Sequence, residues 1–208
     1  MINNYDKIAR HYDKLSRLVF FKSQVNAQID QLTSIPAKSA ILIVGGGTGW
    51  ILEEISKIHN EGLQITYVEL SSKMTELAKA RNCGDHNVEF INTGIEDFET
   101  NQHFDVILTP FLFDNFKRDR AIMVFQKLNL LMKTKGLWFL VDFSLNKQEG
   151  KWWKWLILKA MYSFFKLIRI VEATSLIDME PYFMAANYTK LSEQFYYGHF
   201  IKASIFKK

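Results

Sequence analysis

The sequence predicts an α/β fold in which seven strands form one doubly wound sheet, mostly parallel and ending in an antiparallel hairpin. Residues 40–44, Ala-Ile-Leu-Ile-Val, are a short apolar run closed by glycines, which is typical of a strand buried on both faces. Further apolar runs alternate with segments of helical periodicity up to residue 141. Strands that alternate with helices need crossover connections and therefore pair in parallel, which makes the fold Rossmann-like.

The elements after the first strand follow a regular order. Apolar residues recur at helical spacing between the strands, and charged residues take the opposite faces. The predicted elements are a helix over 51–58, a strand over 63–68, a helix from Ser71 to about Arg81, strands over 88–91 and 104–108, a helix whose apolar face includes Leu131 and Met132, and a strand over 137–141 after a stop at Gly136.

Both ends of the chain depart from this alternation. Residues 3–34 are predicted to form one or two helices, and residues 151–170 and about 174–186 are predicted to be helical. Thr189–Phe195 and His199–Phe206 have the pattern of two strands separated by a short turn that contains Gly198. Because a short turn forces neighbouring strands to pair antiparallel, the sheet should end in a hairpin.

The composition is that of an ordinary globular protein, with 208 residues, 48% hydrophobic and 23% charged. The single cysteine, Cys83, cannot form an intramolecular disulfide, which favours a reducing compartment. No signal peptide or membrane-spanning apolar run is visible, so a cytoplasmic location is expected. The net charge of +4 is uneven, since residues 1–150 carry −1 and residues 151–208 carry +5. Any preference for acidic partners should therefore lie in the last quarter.

A glycine-rich turn, Gly45-Gly46-Gly47-Thr48-Gly49, connects the first strand to the following helix. Glycines at such a turn let the backbone approach a ligand closely, and the helix start offers free N–H groups. The dinucleotide fingerprint requires Gly or Ala at a third position, where this chain has Trp50 or Leu52. A nicotinamide or flavin cofactor is therefore disfavoured. A tight turn without a ligand is the structural alternative.

Glu69 ends the second strand, twenty residues after Gly49. A carboxylate at this place can accept two hydrogen bonds from a ribose diol, as acids after the second strand do in nucleotide sites. A solvated acid at a strand end is the alternative. The glycine turn and the spacing together favour the ribose interpretation.

These segments resemble the class I S-adenosylmethionine-dependent methyltransferases over roughly residues 1–145. The matching segments are the first motif (41–49), the ribose-binding strand (65–70), the adenine loop (88–98), the fourth-strand motif (104–107) and the lead-in to the fifth strand (131–137). The resemblance implies S-adenosylmethionine as the cofactor. The residues that it implies in cofactor binding are Tyr12, Gly45, Gly46, Gly47, Gly49, Glu69, Leu70, Ile95, Glu96, Thr109 and Pro110.

Residues 5–13, Tyr-Asp-Lys-Ile-Ala-Arg-His-Tyr-Asp, are similar to the amino-terminal helix of the methyltransferases of ubiquinone and menaquinone biosynthesis and their small-molecule relatives. In those relatives the helix closes over the cofactor, which makes Tyr12 a contact; packing of the helix on the domain is the alternative. The resemblance implies one methyltransferase domain over 1–208. It would comprise a helical lid (1–36), a cofactor-binding core (37–145), and a helical insertion with the hairpin (146–208).

Two positions depart from the family's pattern. Ile43 and Gly94 stand where most relatives carry acidic residues, and Glu96 or Asp97 could substitute for the second of these. Loss of one charged hydrogen bond weakens binding by about 1.5–3 kcal/mol. A non-catalytic cofactor-binding protein is therefore one alternative function, and a nucleic-acid methyltransferase, suggested by the basic last quarter, is a less favoured one.

The loop after the fourth strand, residues 109–115, should face the reacting methyl group, because ligands bind at the carboxyl ends of parallel strands. Its phenylalanines predict a small apolar or amphipathic acceptor. His11 is the histidine best placed for a base, but a solvated role is favoured for every histidine. The catalytic residues, the acceptor atom and the oligomeric state stay undefined. The histidines lack the spacing of a metal site, so no metal is predicted.

Residues 151–170 form a basic, aromatic segment that holds three of the five tryptophans. Lys151, Lys154 and Lys159 fall on one half of a helical wheel. We expect this segment to cap the acceptor pocket through Trp153 or Trp155. Peripheral contact with a membrane or partner surface, and plain core packing, are the alternatives.

Overall fold

A computed structural model describes residues 5–145, 152–159, 173 and 175–208. Within these residues the helices are α1 (Ala9–Phe20), α2 (Ser23–Leu32), α3 (Trp50–Ile58), α4 (Ser72–Lys79), α5 (Arg118–Leu131), α6 (152–159) and α7 (Glu180–Ala185). The strands are β1 (Ala40–Val44), β2 (Glu61–Val68), β3 (Asp85–Ile91), β4 (Phe104–Pro110), β5 (Met132–Phe143), β6 (Thr189–Tyr196) and β7 (Ile201–Lys207).

All seven strands form one sheet in the order β3-β2-β1-β4-β5-β7-β6. The pairs from β3 to β5 are parallel, whereas β7 pairs antiparallel with both β5 and β6. The predicted fold class is therefore confirmed, including the closing hairpin. The strand order reverses between β1 and β4, so the carboxyl ends of these two strands border the crevice in which such sheets bind ligands.

Two apolar layers bury the sheet on opposite faces. Along β1, Leu42 and Val44 point to the layer that contains α5 and α7, and Ile41 and Ile43 point to the layer that contains α3. Because successive side chains of a strand point to opposite faces, an uninterrupted apolar run is what a strand covered on both sides requires. Ile43 is fully buried, which explains an aliphatic residue at that position.

Several predicted boundaries were wrong. Met132 is not on the helix but begins β5, where it pairs with Phe104, and Lys135 adopts a positive φ of 67° before the main register begins at Leu137. The strand of residues 137–141 is therefore preceded by a bulged extension. Of the helix expected over 174–186, only α7 is helical among the described residues. Residues 151 and 160–170 of the basic segment lie outside the described residues.

The closing turn is longer than predicted. Tyr197, Gly198 and His199 all have positive φ, at 48°, 58° and 68°, so the chain cannot extend into a strand until Ile201. The amino-terminal region forms two helices, and Ser71 caps α4 as predicted, since its hydroxyl accepts a hydrogen bond from the Met74 N–H at 3.1 Å. In the described part of the chain, no helix is long and apolar enough to cross a membrane.

Candidate active site

A cavity lies at the carboxyl ends of β1, β2 and β4, where Val44, Val68 and Pro110 line its floor. It encloses about 900 Å³ of empty space, part of which is open to solvent. Helices α1 and α2 contribute the opposite wall through Tyr12, Asp13 and Gln28. Nine of the eleven residues named from the sequence line it: Tyr12, Gly45, Gly46, Gly47, Glu69, Leu70, Ile95, Glu96 and Pro110.

The glycine turn is fixed in a conformation that other residues would strain. Gly45 and Gly47 have φ values of 69° and 64°, in the left-handed region that favours glycine. The Gly47 N–H donates to Glu69 Oε2 at 3.1 Å, and the Tyr67 hydroxyl donates to the Gly47 carbonyl at 3.0 Å. A Cβ on Gly46 would lie 2.5 Å from the Tyr67 hydroxyl oxygen. Tyr67 in β2 and Glu69 just after β2 thus both hydrogen-bond the backbone of Gly47 and fix the turn.

Gly49 and Thr109, the other two residues named from the sequence, lie outside the cavity lining. A Cβ on Gly49 would lie 2.6 Å from Ala78 Cα, so this glycine permits close packing of the start of α3 against α4. Thr109 is fully buried, and its hydroxyl accepts a hydrogen bond from Trp138 Nε1 at 2.9 Å. Both residues therefore shape the walls of the site from behind.

Glu69 is 6% exposed, and its carboxylate is positioned by backbone groups. Oε1 accepts from the Ser71 N–H at 2.9 Å, while Oε2 accepts from the Gly47 N–H. Burial raises the pKa of Glu69 to about 7, although the hydrogen bonds from Ser71, Gly47 and Leu70 act to lower it. Each carboxylate oxygen has a further lone pair, so the group can still accept bonds from a ligand in the cavity.

The amino-terminal segment is fastened over the glycine turn by two aspartates. Asp13 of α1 accepts from the Thr48 hydroxyl at 2.9 Å and from Arg81 Nη2 at 3.2 Å. Asp6 accepts from the Ser71 hydroxyl and from the Lys73 N–H at the start of α4. Sequence reasoning missed both roles. The only available signal was their place in the segment 5–13, whose similarity pointed to Tyr12 alone.

Two tyrosines of this segment reach the cavity. The rings of Tyr5 and Tyr12 meet edge to face with centroids 5.5 Å apart, and the Tyr5 hydroxyl bonds Asn115 Oδ1 in the loop after β4. Burial raises the pKa of Tyr12 well above its usual value, with further contributions from Asp114 and Asp13. The Tyr12 phenol is therefore neutral across the ordinary pH range.

Residues 93–96 form one wall of the cavity, and an acidic side chain lies close to Gly94 in this wall. A Cβ on Gly94 would lie 3.2 Å from Glu96 Oε2, so the carboxylate of Glu96 lies next to the place of the missing acid. Arg120 pairs with Glu96 and stacks over the Phe116 ring at 4.5 Å. Lys127 Nζ also bonds the Glu96 carbonyl at 2.6 Å. Glu96 is thus the acid nearest to this part of the cavity wall.

Two neighbouring carboxyl groups lie near the carboxyl ends of β4 and β5: Asp142 is buried in β5, and Asp114 lies in the loop after β4. Burial raises the pKa of Asp142 to about 7 and that of Asp114 well above its usual value; the charge of Asp142 raises the pKa of Asp114 further, whereas the Asp114 backbone N–H acts to lower the pKa of Asp142. Asp142 Oδ1 accepts from the Phe143 N–H at 2.8 Å, whereas Oδ2 is buried without a hydrogen bond to any described residue. Asp114 is partly exposed beside the lining residue Asn115, which donates to its Oδ1 at 2.9 Å.

The residues expected to cap an acceptor lie elsewhere. Trp153 packs its ring on Tyr197 and Phe200 with centroids 5.6 and 6.0 Å away, and neither Trp153 nor Trp155 lines the cavity. Lys154, expected on a basic solvent face, is instead fully buried. His11 is exposed and does not line the cavity either. Among the described residues, no group of three or more His, Cys, Asp or Glu side chains could hold a metal ion.

Comparison with known proteins agrees with this geometry. Residues 41–136 match a family described as methyltransferase domain. The chain is 30% identical over 115 residues to a malonyl-[acyl-carrier protein] O-methyltransferase of Acetivibrio thermocellus; the match covers 54% of this chain but only 39% of that relative.

Solved structures share the fold over nearly the whole chain. A DhpI-SAM-HEP complex has a TM-score of 0.70 at 16% identity and covers 97% of this chain and 93% of its own. The 1,6-didemethyltoxoflavin-N1-methyltransferase of Burkholderia thailandensis, crystallised with 1,6-didemethyltoxoflavin and S-adenosylhomocysteine, has a TM-score of 0.66 at 13% identity and covers 98% and 85%. Residues 41–136 therefore match a methyltransferase domain, and the chain shares the fold of solved methyltransferases, as the sequence motifs predicted.

Proposed function

We propose that this chain transfers a methyl group from S-adenosylmethionine to a small apolar or amphipathic molecule. The observation that carries the proposal is the cavity in which the glycine turn, the buried carboxylate of Glu69 and the N-terminal helix α1 meet. Class I relatives of known structure hold S-adenosylhomocysteine or S-adenosylmethionine. The non-catalytic alternative is less favoured, since Glu96 supplies an acid beside Gly94.

The residues present fit this cofactor. Gly45, Gly46 and Gly47 leave the cavity floor without side chains, and a Cβ on Gly47 would meet nothing nearer than Met74 Sδ at 3.7 Å. In the proposed complex Glu69 accepts bonds from the ribose hydroxyls, Leu70 and Ile95 cover the adenine, and Glu96 faces its edge. Tyr12 and Pro110 enclose the methionine end. Gly49 and Thr109 support these contacts from behind the wall.

The bound cofactor supplies an electrophilic methyl group on a sulfonium ion. The chain's part is to align an acceptor with that group and to exclude water, which needs little acid–base help when the acceptor is already nucleophilic. Phe111 and Leu112 give the acceptor end an apolar wall. When the acceptor is an amine or a hydroxyl, the released proton must be taken up by a base or by water.

We propose a single domain over 1–208 with residues 1–36 as a lid, and a cytoplasmic location consistent with the single cysteine. A nucleic-acid acceptor is disfavoured, since the cavity wall that the described residues form is largely apolar at the acceptor end.

Calorimetry with S-adenosylmethionine, S-adenosylhomocysteine and NAD tests the cofactor. We expect the first two to bind and NAD not to bind. Gly47→Ala should weaken binding at least tenfold while the protein stays folded, because the added methyl group occupies cofactor space. Gly62→Ala is the matched control, since Gly62 also has a positive φ, of 84°, and does not line the cavity. Equal affinities for the two variants would contradict the assignment.

A further inference from the structure

Large apolar side chains are exposed at the junction of α1 and α2 and along α6. Leu18 and Phe21 are 75% and 70% exposed, and Trp152, Trp155 and Leu156 are 72%, 50% and 50% exposed. Phe21 also has a positive φ of 54°, which is unfavourable for a bulky residue. We call these five residues the interfacial patch. A concentration of exposed aromatic and aliphatic side chains is typical of a surface that binds a protein or a membrane.

The two parts of the patch belong to neighbouring elements. Phe20 of α1 and Trp153 of α6 both contact the Tyr197 ring, with centroid separations of 5.5 and 5.6 Å. The Tyr197 hydroxyl donates to the Val19 carbonyl at 2.8 Å, which holds the end of α1 against the β6–β7 turn. Both helices also pack on Phe200. The exposed residues of the patch therefore flank a shared buried cluster.

Basic side chains predominate in the two segments that carry the patch, and Asp178 lines a pocket beside Trp155. Residues 14–22 and 152–159 contain five basic side chains and no acidic one. Lys14, Arg17, Lys22 and Lys159 are exposed, and Lys159 Nζ lies 4.6 Å from the centre of the Trp155 ring. Exposed tryptophans and leucines that share their segments with exposed lysines and an arginine have the chemistry that binds the headgroup region of an anionic bilayer.

We propose that the interfacial patch binds peripherally to anionic lipid membranes. The sequence indicated residues 151–170 as the alternative membrane-contacting segment, with Lys154 on its basic face. In the structure Lys154 is buried, and the α1–α2 junction contributes further exposed apolar residues. Helix α1 carries Tyr12 at the cavity and Leu18 at the patch, which are about 9 Å apart along the helix axis. A membrane bound there would lie beside the helix that covers the proposed acceptor site. The lipid contact itself does not depend on the proposed methyl transfer.

Sedimentation of the full chain with vesicles tests the proposal. We expect binding to phosphatidylcholine vesicles that contain 25% phosphatidylglycerol and at least tenfold weaker binding to phosphatidylcholine alone. Leu18→Ser with Phe21→Asn, and separately Trp152→Ser with Leu156→Ser, should each weaken binding to the anionic vesicles at least tenfold. Met123→Ser with Leu130→Ser on α5, which are 54% and 73% exposed, is the control and should bind as the parent does.

Other outcomes would overturn the proposal. The parent could fail to sediment with the anionic vesicles, or the control variant could lose as much vesicle binding as the patch variants. A dimer in analytical ultracentrifugation that the patch substitutions dissociate would show that the patch binds a second copy of the chain. Arg17→Glu with Lys22→Glu leaves every apolar residue in place and should also abolish binding. Calorimetry with S-adenosylmethionine separates this proposal from the proposed function, because the patch variants should keep the parent's cofactor affinity within threefold.

Discussion

Two buried carboxyl groups, Glu69 at the cavity and Asp142 in β5 outside its lining, differ in how their oxygens are hydrogen-bonded. At the cofactor end, both oxygens of Glu69 accept backbone N–H bonds from the glycine turn and from Ser71. In β5, Asp142 Oδ2 is buried without a hydrogen bond to a described residue, and burial raises the pKa of Asp142 to about 7. Backbone bonds make the first group rigid. The second group stays poorly solvated, which favours its protonated form.

The largest effect is expected on stability, at the close contact between Gly49 and α4. Gly49→Ala should destabilise the fold by about 4 kcal/mol, because the new methyl group meets the Ala78 backbone at 2.6 Å and the φ of 77° is strained for alanine. Gly62→Ala carries a similar φ penalty and has no contact nearer than 3.5 Å, so it should cost only about 1 kcal/mol. Urea unfolding of both variants measures the difference. Similar costs would show that the helix contact is soft.

Removal of the carboxylate at the cofactor end should be the next largest effect. Glu69→Ala should weaken S-adenosylmethionine binding by about 3 kcal/mol, roughly 100-fold, because two ribose hydroxyls lose a charged acceptor. Glu54→Ala, which removes an exposed pair with Lys57, is the control. A change of less than threefold for Glu69→Ala in calorimetry would remove the ribose assignment.

The same residue predicts a pH dependence. Its pKa of about 7 means that the carboxylate gains a proton as the pH falls through neutrality, and the protonated form is the poorer acceptor. Affinity of the parent for S-adenosylmethionine should therefore fall by about tenfold per pH unit below 7 and level off above it. Glu69→Ala should show no such slope. A parent affinity constant from pH 5.5 to 8 would contradict the prediction.

The stability of the fold should depend on pH through Asp142. Asp142 titrates near 7 in the fold and near 4 when unfolded, so its ionisation destabilises the fold progressively from pH 4 to 7 and fully above pH 7. Asp142→Asn should therefore add about 2 kcal/mol of stability at pH 8 and almost nothing at pH 4. Unfolding by urea at the two pH values measures this.

Asp105 provides the control of opposite sign. Burial acts to raise its pKa, but hydrogen bonds from the Ala40 N–H and Lys133 lower it overall. Asp105→Asn should lower stability at pH 8, and the loss should vanish at low pH, where the carboxylate is protonated in both states. If Asp142→Asn also lowered stability at pH 8, then the ionised Asp142 carboxylate would not destabilise the fold, and the prediction would be wrong.

The smallest effect concerns the contact between α1 and the turn. Asp13→Ala removes the bonds to the buried Thr48 hydroxyl and to the partly exposed Arg81 side chain, and it should cost about 1 kcal/mol of stability. Lys14→Ala on the exposed side of the same helix is the control. Thermal unfolding distinguishes them, and identical midpoints would show that the Asp13 bonds contribute nothing.

The parts of the molecule that local chemistry determines could be predicted from the sequence. A buried strand followed by glycines, and an acid at the next strand end, each define their structure within a few residues, so Gly45–Gly47 and Glu69 were found. The bonds between Asp13 and Arg81 join residues 68 positions apart, and no local pattern encodes them. Asp142 escaped notice for the same reason, because its proximity to Asp114 arises only when β4 and β5 pair. Lys154 has the sequence periodicity of a solvent-facing residue, and tertiary packing overrides it.

The fastening of the N-terminal segment has a consequence for turnover. Tyr5, Asp6 and Asp13 bond to three different elements: the loop after β4, the start of α4 and the glycine turn. If the proposed cofactor binds beneath this segment, the need to open these bonds should slow its release. Product release would then be slower than the chemical step, and a rapid-mixing experiment should show a burst of one methylated product per chain before the steady state.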